Sequence, residues 1–76
     1  MNNIRRKALQ EVYSKITSAL EELESLKDEE EEYRDNIPEN LQSSERYEKA
    51  DEAVYNLESA YDNISDALDS IESAME

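Results

Sequence analysis

The chain has 76 residues, a formal net charge of −13, no cysteine, no histidine, no glycine and a single proline. Those absences exclude a disulfide framework and a typical zinc site, and the length holds one domain at most, residues 1–76. With 21 acidic residues against eight basic ones, phosphate backbones and anionic membranes are repelled rather than bound, so neither is an expected ligand.

Taken in chain order, Asn2 or Asn3 caps a first helix, because an asparagine side chain accepts from the unpaired amides of a first turn. A central apolar line then reads Leu9, Ile16, Leu23. It is flanked on one side by Val12, Ala19, Leu26 and Tyr33, and on the other by Tyr13 and Leu20. A stripe three positions wide in seven suits a helix in a bundle. Asp28-Glu29-Glu30-Glu31-Glu32 interrupts it and places Glu30 on the central line, so the core thins there. That run is either a solvated helix end or an acidic recognition knob. The first helix is predicted over about 3–35.

The turn falls at 36–43. Pro38 disfavours helical geometry at Ile37 and is itself suited to open a new turn, with Ile37 and Leu41 expected to close the end of the core. Ser43 or Ser44 then caps a second helix, predicted over about 44–75. Its apolar residues alternate steps of three and four without a break: Tyr47, Ala50, Val54, Leu57, Tyr61, Ile64, Leu68, Ile71 and Met75. Ala53, Ala60, Ala67 and Ala74 recur beside them every seven residues.

Two long helices joined by so short a turn must lie antiparallel, giving an all-α fold, a two-helix hairpin. Folding about residue 40 pairs Leu9 with Ile71, Ile16 with Ile64, Leu23 with Leu57 and Glu30 with Ala50. The same fold brings Arg5, Arg6 and Lys7 beside Asp69, Glu72 and Glu76, and Arg46 and Lys49 near the Glu29 to Glu32 run. Seven of the apolar residues are alanine, so a lone hairpin buries little, and dimerisation into an antiparallel four-helix bundle is expected. The expected oligomer interface takes Val12, Tyr13 and Leu20 from the first helix. From the second it takes Val54, Leu57, Ala60, Tyr61, Ile64, Ala67 and Leu68.

Catalysis finds little to work with: no histidine or cysteine, no glycine-rich phosphate loop, no serine beside a general base, and carboxylates that face water. Neither an enzyme nor a cofactor or metal is therefore expected. What remains is the acidic surface, since residues 50–76 carry acids and no lysine or arginine. Such a rod resembles the charge outline of a nucleic acid and attracts a basic groove, or else serves solubility alone. The partner-binding candidates are Asp28, Glu29, Glu31 and Glu32 with Asp62, Asp66 and Asp69. Tyr55 lies off the stripe, as a half-covered surface residue or as part of a partner contact.

The segment Asp28 to Tyr33, followed by Asn36-Ile37-Pro38-Glu39-Asn40-Leu41-Gln42-Ser43-Ser44-Glu45-Arg46-Tyr47 and the heptads around Asn56-Leu57-Glu58, resembles short acidic helical-hairpin proteins of Firmicutes and their phages. The likeness covers residues 15–75, with the Ile-Pro-Glu-Asn-Leu turn its most specific part. It implies a phage or mobile-element setting, in which small acidic proteins often inhibit host nucleases or other defence proteins.

The expected function is a non-enzymatic acidic interaction module that pairs with itself and binds a protein with a basic groove, its specific form a DNA-mimic inhibitor of a nucleic-acid-binding or defence protein. The alternative is an assembly module whose only role is helix-bundle oligomerisation. A third reading is a regulator acting through Tyr55 and Leu41. No apolar run approaches the about 20 residues of a membrane span, and Met1 to Lys7 lacks the apolar core of a signal peptide, so a cytoplasmic location is expected, in the bacterial host cell if phage-encoded.

Overall fold

A computed structural model describes residues 1–41 and 44–76. Helix α1 spans Asn3–Asp35, a short 3-10 helix spans Glu39–Leu41, and helix α2 spans Glu45–Ala74. The two long helices pack against each other as an antiparallel hairpin, a rod of 59 × 15 × 13 Å.

Each helix end has a local cause. The Asn2 side chain accepts from the Arg5 amide at 2.7 Å, and the Ser44 hydroxyl accepts from the Tyr47 amide at 3.3 Å. These satisfy amides that have no partner within the helix. At the end of α1 the Asn36 amide still reaches the Glu32 carbonyl, after which Ile37 donates to Arg34 and the helix stops before Pro38. Leu41 donates to the Pro38 carbonyl at 2.8 Å and Ser44 to Leu41 at 3.0 Å, carrying the chain round without a positive φ among the described residues. The described part of the reversal, the 3-10 turn Glu39–Leu41, is right-handed and needs no glycine. Ser43, the other cap candidate, lies outside the described residues.

The seam follows the three-four alternation on both helices. Leu20, Val54 and Leu68 are buried along it, Ala50 and Ile37 near the turn. Leu9, Tyr13, Ile16, Leu23, Leu57, Tyr61, Ile64 and Ile71 are half-buried beside them. On α1 the seam takes the Tyr13 and Leu20 flank and leaves the other flank, Val12, Ala19, Leu26 and Tyr33, in water.

Continuing that alternation past Leu23 seats Lys27, Glu30 and Arg34 against α2, where the sequence reading anticipated only Glu30. Lys27 and Arg34 keep just 20% of their side-chain surface exposed. Long aliphatic stems make this possible, lying along the seam while the charged heads reach out to Asp28 and Asp51.

Three expectations are corrected. Leu41 remains 45% exposed, so Ile37 alone closes the core. Arg6 binds the Met75 carbonyl at 2.8 Å and the Asn3 side chain, and no ion pair joins Arg5, Arg6 or Lys7 to Asp69, Glu72 or Glu76 among the described residues. Arg46 turns to Tyr33, and Lys49 pairs with Glu45 on its own helix. For Arg6, Arg46 and Lys49 a nearer acceptor competes with a screened surface pair of little net value.

Candidate interaction surfaces

Writing each helix in heptads with a and d on the seam makes the two long sides of the hairpin distinct. Arg6, Tyr13, Leu20, Lys27 and Arg34 are a positions on α1, and Tyr47, Val54, Tyr61, Leu68 and Met75 on α2. The two-fold that relates antiparallel helices stands perpendicular to their common plane, so like-lettered flanks share a side. Contacts agree. Arg46 and Tyr33, both g, meet at 2.6 Å, whereas Asp51, an e position, meets Arg34 at 2.9 Å.

Charge divides sharply between those sides. The e and b positions hold Glu21, Glu24, Asp28, Glu31 and Asp35 on α1 and Glu48, Asp51, Glu58, Asp62, Asp69, Glu72 and Glu76 on α2, twelve of the 21 acids. Their one base is Lys7, and the heads of Lys27 and Arg34 reach out from the seam to the same side, which therefore carries −9. At g and c the acids are only Glu22 and Glu29, against Arg5, Lys15, Arg46 and Lys49, giving +2. The remaining g positions are Val12, Ala19, Leu26, Tyr33 and the four alanines Ala53, Ala60, Ala67 and Ala74.

The acidic side brings together only part of the expected partner-binding set. Asp28, Glu31, Tyr55, Asp62 and Asp69 lie on it, with Tyr55 68% exposed on the same line as Asp62 and Asp69. Glu32 and Asp66 occupy f, the outer edge of each helix, and Glu29 falls on the acid-poor side. Of the expected oligomer-interface residues, Leu20, Val54 and Leu68 are already buried within the hairpin. Tyr13, Leu57, Ala60, Tyr61 and Ile64 are half-buried, and Val12 and Ala67 are exposed.

Cations from the seam line the acidic side. Lys27 pairs with Asp28 at 3.3 Å, a hydrogen bond that raises its ammonium above the usual range. Arg34 reaches Asp35 at 3.0 Å, Asp51 at 2.9 Å and Glu31 at 4.0 Å, and is raised by the bond to Asp35 and then by that to Asp51. Tyr61 is pushed up by repulsion between its phenolate and the Glu24 carboxylate, with desolvation adding to it. Lys27, Glu58, Tyr61 and Asp62 frame a shallow depression there.

Counting acids along the chain missed the acid-poor side, because it appears only when charges are sorted by heptad position. The signal was present: no g position of either helix is acidic. Among the described residues no group of three carboxylates converges on a metal-sized space, and no helix is long and apolar enough to cross a membrane. No protein-family model, curated protein or solved structure matches the chain at a significant level.

Proposed function

We propose that the protein is a non-enzymatic interaction module that dimerises into an antiparallel four-helix bundle and offers its acidic side to a protein with a basic groove. In the phage or mobile-element setting that the resemblance implies, its specific form is a DNA-mimic inhibitor of a nucleic-acid-binding or defence protein acting in the cytoplasm of the bacterial host.

One observation carries this reading: twelve acids share one side of a hairpin 59 Å long. Spread over the about 45 Å of helix at 1.5 Å per residue, they fall about one every 4 Å. A single DNA strand carries one phosphate per about 3.4 Å, so a groove tuned to a strand meets a comparable density of charge. Tyr55 adds an exposed aromatic surface on the same line, suited to the centre of a contact.

The experiment is a pull-down from host extract with the wild-type chain and with Asp62→Lys, Asp66→Lys and Asp69→Lys combined. The captured protein should be released by added duplex DNA and should not bind the triple variant. Capture that survives both treatments would contradict the mimic.

Assembly alone is the second reading, favoured by the acid-poor apolar side. It predicts that Leu57→Asp, at the seam, abolishes function while the triple charge reversal leaves it intact.

A further inference from the structure

We infer that the second copy docks on the acid-poor side. The Ala53, Ala60, Ala67, Ala74 line of one hairpin lies against the Val12, Leu26, Tyr33 line of the other, and reciprocally. This rests on the self-association proposed above and assigns its face.

Surface area gives the first argument. The isolated hairpin exposes 5754 Å². A compact monomer of 8.8 kDa exposes about 4,800 Å² on the usual scaling with mass, leaving an excess of about 1,000 Å². A standard interface removes about 800 Å² from each partner, so one such contact absorbs most of the excess.

Charge selects the face. Two acidic sides brought together oppose −9 with −9, whereas two acid-poor sides oppose +2 with +2, their few charges lying at the outer c positions and, as Arg5 and Arg46, at the ends of the g lines. Apolar groups left in water point the same way, since Val12, Leu26 and Tyr33 are exposed on this side, Leu26 at 57%. Burying them removes apolar area from water, which the acidic side, with Tyr55 its one large apolar residue, cannot match.

Shape and symmetry identify the occupant as this chain. Alanine on one helix allows close approach, and the larger line on the other fills the space opposite. An isologous two-fold uses each line twice, large against small at both ends. A basic partner finds its complement on the opposite side, while another copy presents an equally acid-poor, equally apolar strip.

The test uses the full chain. Sedimentation velocity across a concentration series should show a dimer in wild type. The double variant Leu26→Glu, Ala67→Glu should raise its dissociation constant at least about 100-fold, whereas Tyr55→Glu should leave it within about threefold. Both replaced positions are exposed in the hairpin, and retained far-ultraviolet helicity verifies the fold. Independently, Ala67→Cys should react with iodoacetamide at least about tenfold more slowly above the dimer's dissociation constant than below it, and Asp66→Cys should not. A dimer indifferent to the double variant but weakened by Tyr55→Glu overturns the face while leaving self-association standing. A wild-type chain that stays monomeric removes both, and growth beyond the dimer indicates acid-poor sides stacking on acidic ones, which also overturns the assignment.

Discussion

The Arg46 guanidinium sits 5.3 Å from the centroid of the Tyr33 ring while its Nε donates to the Tyr33 hydroxyl at 2.6 Å. This contact ties the start of α2 to the last turns of α1 on the acid-poor side. Arg34 and Asp51 tie the same two segments on the acidic side. The turn-proximal end of the hairpin, where the seam is thinned by Lys27 and Glu30, is thus held by one polar contact on each side.

Removing the contact on the acid-poor side tests its share. Arg46→Ala should lower stability by about 0.5 to 1 kcal/mol, the scale of an exposed cation–π contact. For a domain of this size that is a fall in Tm of a few degrees, about 4 to 8 °C per kcal/mol, read by thermal unfolding. No change would mean that Tyr33 and Arg46 meet without consequence.

Leu20→Ala should cost about 2 to 5 kcal/mol, because a buried leucine shortened to alanine loses its transfer energy and leaves a cavity. Urea titration followed by circular dichroism would read this. A cost below that of Arg46→Ala would place the core elsewhere.

Alkaline pH should destabilise the hairpin. Glu24 raises the Tyr61 phenol above its ordinary 10.0 in the folded state. Folded chains therefore hold that proton more tightly than unfolded ones. The stability so contributed is fully present below the unfolded value and is lost as pH rises through the folded one. Lys27, raised by Asp28, has the same sign. Tyrosinate absorbance should show Tyr61 titrating late, and Glu24→Gln should bring it earlier. Identical titration curves for the two proteins would separate Glu24 from Tyr61.

Salt should stabilise. Like charges crowd the acidic side, and raising salt from about 0.01 M to about 0.5 M shortens the screening length from about 30 Å to a few ångströms. Tm should rise across that range. A fall would mean that Arg34 to Asp51 and its neighbouring pairs outweigh the repulsion.

Much of the fold was legible because a seven-residue repeat is written without interruption from Tyr47 to Met75 and a lone proline marks the reversal. Cap residues were narrowed to pairs, of which the structure uses Asn2 and Ser44. The flank of α1 that enters the seam was not legible, since Val12 and Leu26 are as apolar as the Tyr13 and Leu20 that displace them. Only the turn-proximal end decides it, and there the half-buried seam positions are Lys27 and Arg34, whose charges conceal stems long enough to lie along the seam. Ion pairs were misassigned for a related reason. Long side chains near a terminus have carbonyls and hydroxyls within reach that a pairing of helix positions does not represent, as Arg6 on the Met75 carbonyl shows.

As proposed, one long side of this hairpin faces a twin while the other stays free and negative. Sedimentation equilibrium of the unmodified chain at micromolar concentration, in moderate salt, addresses it most directly. A fully helical species of twice 8.8 kDa is the predicted result, and a folded, stable particle of 8.8 kDa with that apolar strip left wet would contradict it.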